Sequence, residues 1–358
     1  MRTKMMAATT MAALTAMAGT AFAQTNVSIY GVADVAFVAE SGGAAGSVKK
    51  LTSGVGSGSR LGFKGSEDLG GGLSALFLLE NGFNMDTGTL GQGGLLFGRQ
   101  AYMGLSGGFG TATFGRQYTP QFMTVLTADP FGTGSAGNAP NILPLTGSGS
   151  RMDNTFKYVT PNFSGLTGEL AYGFGEVAGD TSATRQLGAA VNYTGGPLTV
   201  RLGHHNRNND TATVKNTESG KNTLLAATYD FGMAKAYFAY GVNKGPNSGP
   251  LRNAANPYGS AVAPRPSTDS RDVLLGVLVP FGTNRVMASY IRKDDKTAFN
   301  QDANQLAVGY FYGLSKRTDL YAVYARIDNK NGAGYTVGGA IEPGSGNKAL
   351  NLGIRHTF

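Results

Sequence analysis

The residues of this chain with chemistry to offer are few, and most are cationic. Arg60, Arg99, Arg116 and Arg151 each sit in or beside a short apolar, glycine-rich segment, with Glu80 and Asp129 as acids of neighbouring segments. A guanidinium keeps its charge at any working pH, and several of them in a narrow space of low dielectric make a field that draws anions. Their spacing decides whether they can share such a space. In the run Arg60-Leu61-Gly62-Phe63-Lys64-Gly65-Ser66, Arg60 has the parity of Lys64 and Ser66, opposite Leu61 and Phe63, so a strand turns it to the polar side. Arg99 shares its parity with Ala101, Met103 and Leu105, a weaker signal, and Arg116 shares its own with Ala112 and Phe114. Without a bulge, parity points Arg116 away from a polar face.

Other chemistries find less support. The chain has no cysteine, which excludes a disulfide scaffold, a thiolate metal site and a cysteine nucleophile together. His204 and His205 are adjacent, and adjacent residues of a strand point to opposite faces, so they cannot share a metal. His356 reads as interfacial packing. Gly108 and Gly110 sit in a hairpin rather than before a helix and form no phosphate loop. No motif pairs a serine with a histidine. The pI near 9.5 comes without a basic cluster or an aromatic-basic module, so no nucleic-acid partner is expected. No metal or cofactor is expected either.

The elements that position the arginines follow from composition. Of 358 residues 55 are glycine, and only 15% are charged against roughly 25% in an ordinary soluble domain. Tyr and Phe are too frequent for a disordered chain. Arg2 and Lys4, an uncharged stretch from Met5 to Thr20, and Ala21-Phe22-Ala23 make residues 1–23 a secretory signal peptide, with 24–358 as one domain. Beyond Gln24 no run approaches the ~18 apolar residues of a membrane helix.

Instead the sequence predicts sixteen strands, at 27–40, 59–66, 73–83, 98–106, 111–117, 151–160, 166–175, 185–193, 198–206, 222–230, 233–243, 271–279, 284–292, 304–312, 319–327 and 348–358. The connections alternate strictly between about two to six residues and about nine to 33. Alternate connections of antiparallel strands lie at opposite ends of a sheet, so one end carries tight turns and the other large loops, as in an outer-membrane β-barrel. Val27, Ile29, Val35 and Phe37 form an apolar set opposite Tyr30, Asp34 and Glu40, and Leu350, Leu352, Ile354 and Phe358 share one parity against Asn351 and Arg355. One face suits lipid and the other water. In 73–83 and 319–327 both faces are apolar, which fits either a cover of inward-folded loops or a subunit interface.

Several runs carry a resemblance to a known family. VSIYGVADVAF, the block SRLGFKGSEDLGGGLSALFLLENGFN at 59–84, FGRQAYMGLSGGFGTATFGRQYTP at 97–120, RMDNTFKYVTPNFSGL at 151–166 and the ending LGIRHTF resemble the trimeric general-diffusion porins of beta-proteobacterial outer membranes. The resemblance implies an all-β fold: a transmembrane antiparallel β-barrel of 16 strands whose third external loop, residues 118–150, folds into the lumen. That loop holds Phe122, Phe131 and Ile142, one acid and no lysine or arginine, although it lacks the Pro-Glu-Phe-Gly-Gly motif of enterobacterial porins. The resemblance makes Arg60, Arg99 and Arg151 the wall arginines of a pore constriction and Glu80 their acidic neighbour. Asp129 is the loop's only counter-charge, and Arg116 joins the set if it turns inward.

Phe358 resembles the terminal aromatic that the barrel-assembly machinery recognises, although His356 replaces the usual Tyr or apolar residue. The implied partners are two further copies in a homotrimer, outer-membrane lipid and lipopolysaccharide, and small hydrophilic solutes and anions. The first and last strands would form the trimer contact. The implied function is passive diffusion across the cell outer membrane, not catalysis. An outer-membrane hydrolase, and a structural or adhesive barrel presenting the proline-rich loop with Pro246, Pro250, Pro257, Pro264 and Pro266, are the alternative classes. Other charges, among them Asp272, Lys293, Asp294, Asp295, Lys296 and Lys330, read as solvated rim.

Overall fold

Strands that alternate apolar and polar residues can close on themselves only if every backbone N–H and C=O finds a neighbour. In hydrocarbon that leaves the closed barrel as the one β solution. The computed structural model of the chain describes residues 26–145, 149–215 and 218–358 and has this form. The expected leader, 1–23, lies outside the described residues.

The described strands are β1 (Asn26–Gly43), β2 (Gly46–Ser53), β3 (Arg60–Gly70), β4 (Leu73–Gly82), β5 (Gln100–Gly107), β6 (Gly110–Tyr118), β7 (Arg151–Val159), β8 (Leu166–Gly173) and β9 (Gln186–Gly195). They continue as β10 (Leu198–Arg207), β11 (Gly220–Asp230), β12 (Lys235–Gly249), β13 (Ser267–Phe281), β14 (Asn284–Asp295), β15 (Ala303–Gly313), β16 (Thr318–Asn329) and β17 (Lys348–Thr357). All form one antiparallel sheet, closed where β1 pairs with β17 from Val32 opposite Thr357 to Ser41 opposite Lys348. Beyond the last strand residue, Phe358 extends the seam by exchanging two backbone hydrogen bonds with Gly31, at 2.9 and 3.1 Å. Its ring lies so close over Gly31 that a Cβ there would fall 2.2 Å from the ring.

Seventeen strands replace the sixteen expected, and the difference lies wholly in the first connection. Sequence patterning predicts a long loop at 41–58. The chain instead extends β1 to Gly43, turns at Ala44-Ala45 and returns as β2. Along β1, Val35 faces Ser53 of β2 while Val32 faces Arg60 of β3, so β2 and β3 together make one stave of a sixteen-stave wall. Between them the glycine-rich run 54–59 leaves the wall. Lys49-Lys50 and the glycines of 54–58 hide this strand in the sequence, because β-propensity is weak in both.

Asp34 repairs the gap the excursion leaves. Its fully buried carboxylate accepts the N–H of Gly56 and of Ser57, each at 3.1 Å, and the hydroxyl of Tyr321 at 2.9 Å. Its backbone is held by Ser59, whose hydroxyl accepts from Asp34 N–H at 3.1 Å and donates to Asp34 C=O at 3.0 Å.

Outward and inward faces follow the expected parity. Ile29 is 65% exposed and Asp34 0%, and Leu350, Leu352 and Ile354 are exposed while Ala349 and Asn351 are buried. Inside, the segment after β6 forms helix α1 (Pro120–Ala128), capped by Thr119, whose hydroxyl accepts from Phe122 N–H at 3.0 Å. Pro120 lies against Gly188, Thr124 against Gly203, Pro130 against Gly276 and Phe131 against Gly309. Glycines on the inner face thus admit the loop at backbone distance. Phe131, Ala136, Ile142 and Leu143 form one buried cluster with Tyr321, Val323, Ala325 and Ile327 of β16. This accounts for the second apolar face of 319–327, whereas β4 stays half-exposed on both faces along Leu73–Leu79.

Asp34→Ala should leave the Ser57 N–H and the Tyr321 hydroxyl without an acceptor, at ~1–3 kcal/mol each, and Gly56 N–H with only the Tyr321 oxygen at 3.1 Å. We expect a lower temperature for loss of the compact, heat-modifiable band on gels, partly restored by Asp34→Asn. A wild-type transition in Asp34→Ala would show that other contacts hold the excursion.

Candidate functional site

Along β9–β16 the loop covers the wall, and on the opposite side it leaves a cavity of about 1200 Å³ bordered by Arg60, Arg99, Tyr118, Phe122, Arg151 and Arg252. Arg99, just before β5, and Glu80 of β4 are both nearly inaccessible and form an ion pair at 2.8 Å. Tyr30 of β1 donates its hydroxyl to the other Glu80 oxygen at 2.8 Å. A buried pair of this kind costs desolvation. Breaking it from one side costs about 3–5 kcal/mol, because the remaining charge stays behind.

Arg99 also anchors its neighbours. Its Nη2 donates to the Tyr118 hydroxyl at 2.7 Å, which accepts from Arg151 Nη2 as well, at 3.2 Å. Arg151 Nε donates to the backbone carbonyl of Arg99 at 2.7 Å and Nη1 to Ser150 Oγ at 3.0 Å, while the guanidinium sits 4.9 Å from the centre of the Tyr118 ring. Arg60 is held by the excursion, donating from Nε to Gly58 C=O at 2.9 Å and from Nη2 to Ser57 Oγ at 2.5 Å. Arg60 and Arg151 therefore rest on neutral oxygens. Among the described residues no carboxylate lies within ion-pair distance of either.

Two further cations border the cavity beyond the expected set. Arg252, from the proline-rich 250–266 loop, donates to Asn141 Oδ1 at 2.9 Å and to the carbonyls of Gly339 and Glu342 at 3.0 and 2.9 Å. It ties three loops together with no carboxylate at its guanidinium among the described residues, and burial lowers it to about 10, which still leaves it charged at neutral pH. Lys293 is paired with Asp272 at 2.8 Å, both about 1% exposed. That corrects the reading of these two as solvated rim. Asp272 faces Lys293 directly across the β13–β14 hairpin, on the inner parity of Leu274 and Ile291, and residues near Tyr335 cover them. The two-residue turn at Gly282-Thr283 sets this register, so the pairing was legible from the turn.

The other expected site residues lie elsewhere. Arg116 donates to Gly98 C=O at 2.8 Å and pairs with the exposed carboxylate of Asp153, apart from the cluster. A register shift between Gly115 and Gln117 interrupts β6 there. Asp129 turns into its own loop, where its carboxylate accepts the N–H groups of Phe131, Thr133 and Ala139 at 2.9, 3.0 and 2.8 Å. Burial raises it from the ordinary value near 3.8 to about 6. Phe358 stands at the barrel seam, far from the arginines in role.

The comparisons with known proteins agree with this architecture. A family model described as Gram-negative porin matches residues 8–332. The chain is 32% identical to outer membrane porin protein 32 of Delftia acidovorans, over 97% of this chain and 98% of that one. The figures are the same for an outer membrane porin protein of Bordetella pertussis, at 32%, 97% and 98%. Among solved structures, the anion-selective porin from Comamonas acidovorans superposes with a TM-score of 0.73 at 29% identity, covering 94% of this chain and 100% of that chain. With the family model and full-length relatives in agreement, the chain belongs to the Gram-negative porin family.

Proposed function

We propose that the barrel lets small hydrophilic solutes and ions diffuse passively across the outer membrane, with a preference for anions set at the throat between the 119–150 loop and the wall of β3–β7. One observation carries the anion preference: among the described residues, Arg60, Arg151 and Arg252 border the cavity with only neutral oxygens and the Tyr118 ring as partners, while Arg99 and Lys293 are neutralised by Glu80 and Asp272. A unit charge ~4 Å from an ion is worth about 4 kcal/mol at an effective dielectric of 20, so even one surplus guanidinium biases passage severalfold. The solved anion-selective relative supports the same sign.

The apolar outward faces of β1, β4 and β17 support assembly as a homotrimer through the first and last strands, surrounded by lipid and lipopolysaccharide. Phe358, paired at the seam, fits the role of an assembly signal read by the barrel-assembly machinery. The 1–23 segment would be removed on export.

In a planar bilayer under a dilute KCl gradient, the reversal potential should report anion preference, stronger at low salt because screening lengths fall from ~30 Å at 0.01 M to ~10 Å at 0.1 M. Replacing Arg60, Arg151 and Arg252 together with serine should lower the anion-to-cation permeability ratio by about fivefold or more, and an unchanged ratio would overturn the assignment. Acidification from pH 7.5 to 5 should raise the anion preference, because Asp129, held at about 6 by burial, takes up a proton and the loop loses its negative charge. Asp129→Asn should fix the low-pH value and flatten that step. Native mass spectrometry of detergent extracts should give three copies of a chain beginning at Gln24, and a monomer or an uncleaved chain would refute the corresponding part.

A further inference from the structure

The two sides of the throat differ in chemistry. The wall presents guanidiniums, whereas the facing loop has no lysine or arginine and turns its single acid, Asp129, away into its own backbone. Beside the polar Thr133, Asn138 and Asn141, the loop and its neighbour turn to the cavity the half-buried side chains of Phe122, Leu126, Pro144, Leu145 and Leu251. The apolar group has no use in a path for hydrated ions alone, since apolar surface left against water is costly.

The two chemistries also meet in a continuous stack. The Arg151 guanidinium sits 4.9 Å from the centre of the Tyr118 ring, and Tyr118 stacks on Phe122 with centroids 4.8 Å apart and planes 27° from parallel. The Tyr118 hydroxyl is held by both Arg99 and Arg151, so the ring is fixed as a bridge from charge to grease. Arg60 adds a second guanidinium whose bonds among the described residues go to Ser57 and Gly58, leaving its charge for a solute. A planar carboxylate fits a guanidinium fork, and an aromatic ring next to it fits the Tyr118–Phe122 face.

We propose that the throat is a binding subsite for amphipathic organic monoanions, carboxylates that carry an aromatic ring, with the carboxylate on Arg60 and Arg151 and the apolar part on Tyr118, Phe122 and Leu126. This rests on the anion-preferring pore proposed above and adds the class of solute to it. Such solutes cross with a dwell in the throat that simple anions lack. The subsite is a specificity device rather than a barrier, since binding near the narrowest point speeds entry of the matching solute as long as it still leaves.

Single-channel chloride currents in the presence of three sodium or neutral probes test this. Phenylacetate carries both charge and ring, acetate charge alone, and 2-phenylethanol the ring alone. Phenylacetate should halve the chloride current at a concentration about fivefold or more below that of acetate, with 2-phenylethanol weaker than phenylacetate. In Phe122→Ala/Leu126→Ala the ratio of the acetate to phenylacetate blocking concentrations should fall to about one. If that variant does not insert, the wild-type ratio decides alone. Equal block by phenylacetate and acetate in an anion-selective wild type would overturn the subsite and leave the diffusion reading standing. Block by 2-phenylethanol as strong as by phenylacetate would also overturn it, because the arginines would then contribute nothing. A cation-selective wild type would overturn the anion-preferring pore beneath it.

Discussion

A wall of strands in hydrocarbon has no water to satisfy its backbone, and every other feature of this molecule is arranged around that constraint. The seam between β1 and β17 removes the last free edge, and the chain terminus itself contributes, with Phe358 completing the ladder at Gly31. The same requirement explains Asp34. Where residues 54–59 leave the ladder, their N–H groups lose strand partners, and Asp34 supplies replacements, its carboxylate to Gly56 and Ser57 and its backbone carbonyl to Gly54. The excursion is thereby fixed, and with it Ser57 and Gly58, the two residues that hold the Arg60 side chain.

The throat divides its charge between structure and field. Two of its cations are tied into structure: Arg99 by Glu80 and Lys293 by Asp272. These pairs are buried and rigid, and what they contribute is position more than stability. Arg99 in particular lends its carbonyl to Arg151 and its guanidinium to Tyr118, so one neutralised arginine orients one that is not. Arg252 takes the opposite role, a cation that ties its own loop to two others, through the Asn141 side chain and the carbonyls of Gly339 and Glu342, and keeps its charge. The unpaired positive charge at the cavity thus sits on residues whose geometry is set by neutral hydrogen bonds.

Loops that would be solvent-facing in an isolated barrel serve as the core. A wide barrel leaves an aqueous interior, and here much of it is filled by Phe131, Ile142 and Leu143 against the inner face of β16. The inner glycines at 188, 203, 276 and 309 make room for this. Filling one side of the lumen leaves a cavity beside it, bordered by Arg60, Arg99 and Arg151.

Much of this was legible in the sequence. The strict alternation of short and long connections pointed to the barrel, because antiparallel neighbours sort their connections to opposite ends whatever the side chains do. Parity assigned the faces of β1 and β17, since a period of two is a property of the extended chain alone. Both are local. The split second stave was not legible, because a lysine pair and a glycine run suppress the strand signal and only the free edge of β1 recruits β2. Nor could the sequence place Arg252 or bury Lys293, whose positions depend on loops meeting from residues far apart in the chain. Which arginines keep their charge unpaired, the property on which the proposed anion preference rests, is set by distances among side chains from different strands and loops, and only the folded chain determines those distances.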